Sequence, residues 1–182
     1  KVAAINRITS SSNVVAVAGT TDVAGTAQST VGTGTAGTIT INGRAISVTL
    51  SAANDFAANR AAVVTAINQN TGATGVTAVD TGSANRGVSL IASDGRNITV
   101  SFDGANLTKD NTGIAAAGTY AGTYTLRALD LSSITISSNA GGTLANADLA
   151  AGTYAGNIAQ FSTKNLGPLT TAASALTSGD LT

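Results

Sequence analysis

Asn42-Gly43 lies between two stretches that alternate apolar and polar residues, Gly37-Thr-Ile-Thr-Ile41 before it and Ala45-Ile-Ser-Val-Thr-Leu50 after it. A period of two is the pattern of a strand buried on one face. Asn and Gly both tolerate the positive φ that a two-residue type I′ turn requires. The spacing therefore predicts a β-hairpin with Ile39, Ile41, Ile46, Val48 and Leu50 on its buried face.

A helix should follow. Phe56, Val63 and Ile67 recur at helical spacing, and Val64 and Ala66 widen the stripe. Ser51 or Asn54 is the expected cap, with Asp55 near the positive end of the helix dipole. Arg60 falls on or beside the stripe and is expected to snorkel to water. The helix should stop near Thr71-Gly72, where glycine can adopt a left-handed cap. Strands are predicted again at Val76–Val79, Gly87–Ile91 and Asn97–Phe102, the last two flanking Asp94-Gly95 as a second tight hairpin. The unit reads β-β-α-β-β-β, its helix packed on a mainly antiparallel sheet. Beyond Gly104, strands are expected over Tyr120–Leu129 and Ser133–Ser138, joined near Asp130. A turn at Gly141-Gly142, a strand over Asn157–Thr163, and a short helix or loop from Leu166 complete the reading.

Parts of this unit recur. Lys1-Val-Ala-Ala-Ile-Asn6 followed by Ser11-Ser-Asn-Val-Val-Ala-Val17 echoes Val63-Val-Thr-Ala-Ile-Asn68 followed by Thr74-Gly-Val-Thr-Ala-Val79. Gly118-Thr-Tyr-Ala-Gly-Thr is echoed by Gly152-Thr-Tyr-Ala-Gly-Asn. Such similarity indicates a module duplicated in part. The expected class is α+β and strand-rich, with mainly antiparallel sheets and one or two short helices. Residues 35–104 form one subdomain, inserted into another made of residues 1–34 and 105–182, because a strand near Val14 needs partners.

Composition restricts the chemistry. The 182 residues include no Cys, His, Met or Trp, and all nine acidic residues are Asp. Proton transfer by His is excluded, as are the usual zinc, iron and copper sites. A serine triad lacks its base and a cysteine nucleophile does not exist. Nine basic residues balance nine Asp, so no net field would draw nucleic acid or anionic lipid. Six aromatic residues offer little for base stacking, and no apolar run reaches the length of a membrane span. The chain opens at Lys1 and reads as a fragment of something longer. No catalytic, cofactor-binding or metal-binding residue is assigned.

Several residue groups have both a functional and a structural reading. Gly32-Thr-Gly34-Thr-Ala-Gly37 has the form of a dinucleotide fingerprint, but it leads into a strand rather than a helix and reads as a turn. Asp103, Asn106 and Asp110 supply oxygen donors, but their spacing is not that of a calcium loop and they read as turn formers. Tyr120, Tyr124 and Tyr154 could make a carbohydrate platform, yet their repeated context favours equivalent core or sheet positions. Asn97-Ile-Thr99 and Asn106-Leu-Thr108 match the N-glycosylation sequon, while surface Ser and Thr are the more plausible carriers of O-glycans. Ser162 beside Lys164 has the residues of a nucleophile pair with no oxyanion hole signature around it.

Ile41-Asn42-Gly43, Ala66-Ile67-Asn68, Thr74-Gly75-Val76-Thr77-Ala78 and Asp94-Gly95 occur in that order. Together they resemble the repeat of the central variable region of bacterial flagellins. The resemblance covers Gly37 to Gly104 well and the opening segment more loosely, with Asn13-Val14 in place of Gly-Val. It implies a structural, non-catalytic part of the flagellar filament, extracellular and exposed on the filament surface, without cofactors. Residues 1–34 with 105–182 would lie nearer the filament core and 35–104 distal. The long terminal helices through which flagellin subunits contact one another are not visible here, so this stretch is expected to be monomeric and to bind neither nucleic acid nor membrane. The alternative is a repeat module of a secreted bacterial adhesin or phage fibre that binds glycan or protein.

Overall fold

The computed structural model describes residues 1–53, 55–103, 106–138, 143–147, 149–155 and 159–161. In chain order the elements are α1 (Val2–Asn6), α2 (Thr9–Ser12), β1 (Val14–Ala18), β2 (Thr21–Val23), β3 (Ala36–Ile41) and β4 (Arg44–Thr49). They continue as α3 (Phe56–Asn68), α4 (Thr71–Thr74), β5 (Thr77–Asp80), β6 (Val88–Ala92), β7 (Ile98–Asp103) and α5 (Lys109–Thr112). The last are β8 (Gly118–Tyr120), β9 (Tyr124–Ala128), β10 (Ile134–Ile136), a 3-10 turn at Leu144–Ala147, β11 (Gly152–Tyr154) and β12 (Ala159–Phe161). Among the described residues every strand pairing is antiparallel and only α3 is longer than five residues, which is the strand-rich α+β class expected. Asn54, Gly104, the Gly141-Gly142 turn, Ser162, Lys164 and the segment from Leu166 lie outside the described residues. Of the strand expected over Asn157–Thr163, Ala159–Phe161 is described.

The chain divides into two units, Lys1–Gly19 with Thr123–Thr182 (unit 1) and Thr20–Gly122 (unit 2). The boundaries expected at residues 34 and 105 fall inside unit 2. Backbone pairing explains the difference. β2 pairs with β6 and β8 with β7, while Gln28 N–H donates to Ala84 O at 2.8 Å and Ser29 N–H to Asp110 O at 2.9 Å. The Gly/Thr-rich stretch ahead of β3 is thus bonded into unit 2.

In unit 2 the Asn42-Gly43 turn has φ of 50° and 79° and joins Ile41 to Arg44 as a paired couple. The five apolar residues of the hairpin's expected buried face are each at most 2% exposed. Asn42 goes beyond its turn role. Its Oδ1 accepts from Thr99 N–H at 2.8 Å and its Nδ2 donates to Thr74 O at 2.9 Å, fixing the turn to β7 and to the end of α4. Sheets β2-β6-β5 and β4-β3-β7-β8, with α3, enclose one core that includes Val63, Ile67, Val76, Leu90, Ile98, Leu107 and Ile114.

Four local expectations are corrected. Asp55, not Ser51, caps α3, its carboxylate accepting from Ala57 N–H at 2.8 Å. The helix ends at Asn68 with a right-handed cap at Gln69, and the left-handed cap falls on Gly75 after α4. The Asp94-Gly95 turn is tight (Gly95 φ 71°) but makes no hairpin, because β6 and β7 belong to different sheets. Both edges of β6 are taken by β2 and β5, and both edges of β7 by β3 and β8. The strand expected over Tyr120–Leu129 is two strands, β8 and β9, which lie in different units.

Unit 1 repeats part of the polar framework of unit 2. Asn68 clamps Ala78 by accepting its N–H at 2.7 Å and donating to its carbonyl at 3.0 Å. Asn6 clamps Ala16 in the same way at 2.7 and 2.9 Å. Thr71 Oγ1 donates to Val76 O, and Thr9 Oγ1 to Val14 O. The cap Gly75 corresponds to Asn13, both left-handed. β7 pairs Ile98, Thr99 and Val100 with Tyr120, Thr119 and Gly118, while β10 pairs Ile134, Thr135 and Ile136 with Tyr154, Thr153 and Gly152. A core of Ala16, Tyr124, Leu126, Ala128, Ile134 and Ile136 fills this unit.

Two differences between the copies are testable. A Cβ on Gly75 would meet the Arg96 guanidinium, which donates to Thr74 O at 3.2 Å and pairs with Asp94 at 2.6 Å. In unit 1 the same two places hold Asn13 and the smaller Ser132. Gly75→Asn should lower stability by about 1 kcal/mol, as the arginine loses its hydrogen bonds. Beside Arg96→Ser it should cost almost nothing, and a double-mutant cycle reads the coupling. Leu131 (φ 62°, 72% exposed) stands where unit 2 has Gly95. A left-handed L-residue costs roughly 1–2 kcal/mol and an added glycine returns part of this as unfolded-chain entropy. Leu131→Gly should therefore stabilise unit 1 by roughly 0.5–1 kcal/mol in urea unfolding, and no gain would show that the leucine side chain compensates its own strain.

Candidate functional site

Arg60 is the residue whose position most needs an account. Rather than snorkelling, it is 4% exposed on the inner face of α3. Its Nε donates to Asp80 Oδ1 at 2.6 Å and its Nη1 to Gln28 Oε1 at 2.9 Å. Gln28 Nε2 donates onward to the carbonyl of Asn111 at 3.0 Å. Asn111, in turn, accepts from Thr108 N–H and donates to Asn106 O. Asn59, fully buried beside Arg60, accepts from Ser51 N–H at 2.9 Å. A buried guanidinium needs such partners, since an unpaired interior charge is costly. The network joins the 20–34 segment, α3, the end of β5 and α5. Its acids and amides bond to one another and to backbone, so it presents no nucleophile poised beside a base.

Sequence reasoning found Arg60 but missed Gln28 and Asp80. The available signal was the charge on an apolar stripe, which demands an acceptor. Nothing local says which acceptor supplies it.

Among the described residues, the other groups singled out are engaged locally. Gly32 and Gly34 (φ 26° and 62°) form a turn leading into β3. Asp103 accepts from Thr40 Oγ1 at 3.4 Å, Asn106 Nδ2 donates to Ala36 O, and Asp110 pairs with Lys109. Among the described residues no group of three acidic, His or Cys side chains could hold a metal. Tyr120 and Tyr154 take equivalent strand positions, each donating its hydroxyl to the carbonyl four residues earlier, Ala116 and Ala150. Tyr124 is 3% exposed and donates to Ala147 O, so its ring belongs to the core of unit 1 and offers no open face to a carbohydrate. Both sequon asparagines are surface residues, and Asn97 Oδ1 accepts from Gly122 N–H at 3.0 Å.

Electrostatics on this surface are local. Arg96 holds the Asp94 carboxyl below its ordinary value, and Asp94 raises Arg96. Lys109 lowers Asp110, and Ser132, with Asn13, lowers Asp130. Burial raises the Tyr124 phenol. A carboxyl depressed in the folded state contributes stability above its unfolded pKa and loses it as pH falls through the folded value. A phenol raised in the folded state contributes below its unfolded pKa, near 10, and loses it as pH rises. With no His, melting temperature should stay flat from about pH 5 to 8, falling below about pH 4 and above about pH 10. Thermal melts followed by circular dichroism across this range check it. A step near pH 6.5 would contradict it, and added salt should shrink the acid limb because the three carboxylates are exposed.

No protein-family model matches the chain, and no curated protein matches it. No helix among the described residues is long and apolar enough to cross a membrane.

Proposed function

We propose that this chain forms the outer, surface-exposed domains of a bacterial flagellin, a structural component of the flagellar filament. The observation that carries the reading is what the repeat residues do. Asn42 of the Ile-Asn-Gly element bonds to Thr74 of the Thr-Gly-Val element and to Thr99 beyond the Asp-Gly turn. Asn68 of the Ala-Ile-Asn element clamps Ala78, and Arg96 at the Asp-Gly turn reaches Thr74 O. The four sequence pieces are therefore the joints of one framework, and their polar groups are spent on backbone and on one another. That is the behaviour of an architectural repeat. A polar surface with few charges and no redox-sensitive Cys or Met suits a module held outside the cell.

Immunogold electron microscopy of the source cells, with antibodies raised against this polypeptide, tests the reading. Gold spaced along flagellar filaments is the expected result. Gold on the cell envelope or phage tails, with bare filaments, would overturn it in favour of an adhesin or fibre module.

A further inference from the structure

Among the described residues, unit 1 is short of one part of the duplication. In unit 2 the β3–β4 hairpin lies along β7, pairing Ile39, Thr40 and Ile41 with Phe102, Ser101 and Val100. Its turn reaches α4 through Asn42 and the residue before α4 through Arg44, whose Nε donates to Asn70 Oδ1 at 3.4 Å. Strand β10, the counterpart of β7, is paired only with β11 among the described residues. The apolar side chains at the corresponding places differ in burial. Ile67 is 0% exposed under the hairpin in unit 2, whereas its counterpart Ile5 is only half-buried, and α1 has no buried residue at all. Ile8, at the place of Asn70, is 56% exposed.

We propose that unit 1 is an acceptor for a two-stranded β-hairpin of the β3–β4 kind. The hairpin enters through the N-terminal end of α1, as β3–β4 enters unit 2 ahead of α3. It pairs with the edge of β10 that has no partner among the described residues, over residues 136–138, and lays its alternating apolar face over Ile5. The occupant is fixed by the second copy on the page: strands that alternate β-branched apolar residues with Thr or Ser, closed by Asn-Gly, so that the turn asparagine meets Thr135 as Asn42 meets Thr99. A charged or irregular segment would leave the edge amides unmatched and Ile5 exposed. The inference rests on the internal duplication and is independent of the flagellin reading.

The test compares the full chain with the same chain carrying a second copy of residues 34–62 joined ahead of Lys1, which keeps the register of unit 2. A control carries serine in the added copy at the places of Ile39 and Ile41. Hydrogen exchange read by mass spectrometry should slow at least tenfold over α1 and residues 132–138 in the extended chain, with unit 2 unchanged and the control close to the original. Equal exchange in the original and extended chains overturns the proposal, as does equal protection by the control. If residues 132–138 already exchange as slowly as β7 before extension, another stretch of the chain holds the edge and the proposal also fails.

Discussion

Gly87→Ala should destabilise unit 2 by about 3 kcal/mol, enough to remove much of the stability of an ordinary domain. Gly87 has φ of 59°, and a Cβ there would run into the carbonyl oxygens of Gly113 and Thr26, which are backbone and cannot swing away. The left-handed conformation accounts for roughly 1–2 kcal/mol and the forced separation for a further 1–3. What would separate is the seam of the unit. Gly113 O accepts from both Thr26 N–H and Val88 N–H at 2.9 Å, tying the segment after β2 and the end of α5 to the start of β6. Gly82→Ala is the matched control, with φ of 72° and nothing within 4 Å of the added carbon, so it carries the conformational term alone. Denaturant unfolding of the two variants should differ by roughly 1–3 kcal/mol. Equal losses would mean that the backbone at Gly113 yields freely.

Asp80→Ala should be the next most damaging change, at about 3 kcal/mol, because it takes the carboxylate away from the buried Arg60 guanidinium and leaves it the neutral Gln28 amide. The side chain of Arg60 is 5% exposed and that of Asp80 34%, so water can reach the acid but not readily the guanidinium left behind. The decisive comparison is with Arg60→Met combined with Asp80→Ala. Removing both charges and filling the volume with an apolar chain takes away the stranded cation, so the double variant should recover a substantial part of the loss. Additive losses in urea unfolding would show that the pair contributes through packing rather than through compensation of a buried charge.

These changes lie where the sequence was hardest to read. Asn42-Gly43 was legible because positive φ and two-residue alternation are properties of adjacent residues. The Asp-Gly turn at Asp94 carries a similar local signal, yet its flanking strands part into different sheets. Nothing between Gly87 and Phe102 tells a hairpin from a corner, since that depends on strands far away, β2, β5, β3 and β8, claiming the edges first. Tyr120 and Tyr124 are close in sequence and could share a strand by propensity, but the chain passes from one unit to the other between them. Arg60 showed the same limit in a side chain. Its place on an apolar stripe was visible, but whether it snorkels or is buried depended on Gln28 and Asp80 arriving from other elements.

The internal repeat was visible only where short words survive, at Ala-Ile-Asn and Gly-Thr-Tyr-Ala-Gly. The equivalence of Leu131 with Gly95 and of Ser132 with Arg96 leaves no such word, and it follows from matched strand registers and left-handed backbone. By itself the sequence determined the elements whose cause is local: the type I′ hairpin, the apolar stripe of α3, the strand-rich antiparallel class, and the lack of His, Cys and Glu that narrows the chemistry. The tertiary structure alone decided which strands share a sheet, where the two units divide, and how the buried charge is matched. Each of those is a competition among distant segments for a limited number of backbone edges and hydrogen-bond partners, and the winner is set by the whole packed core rather than by any window of the chain.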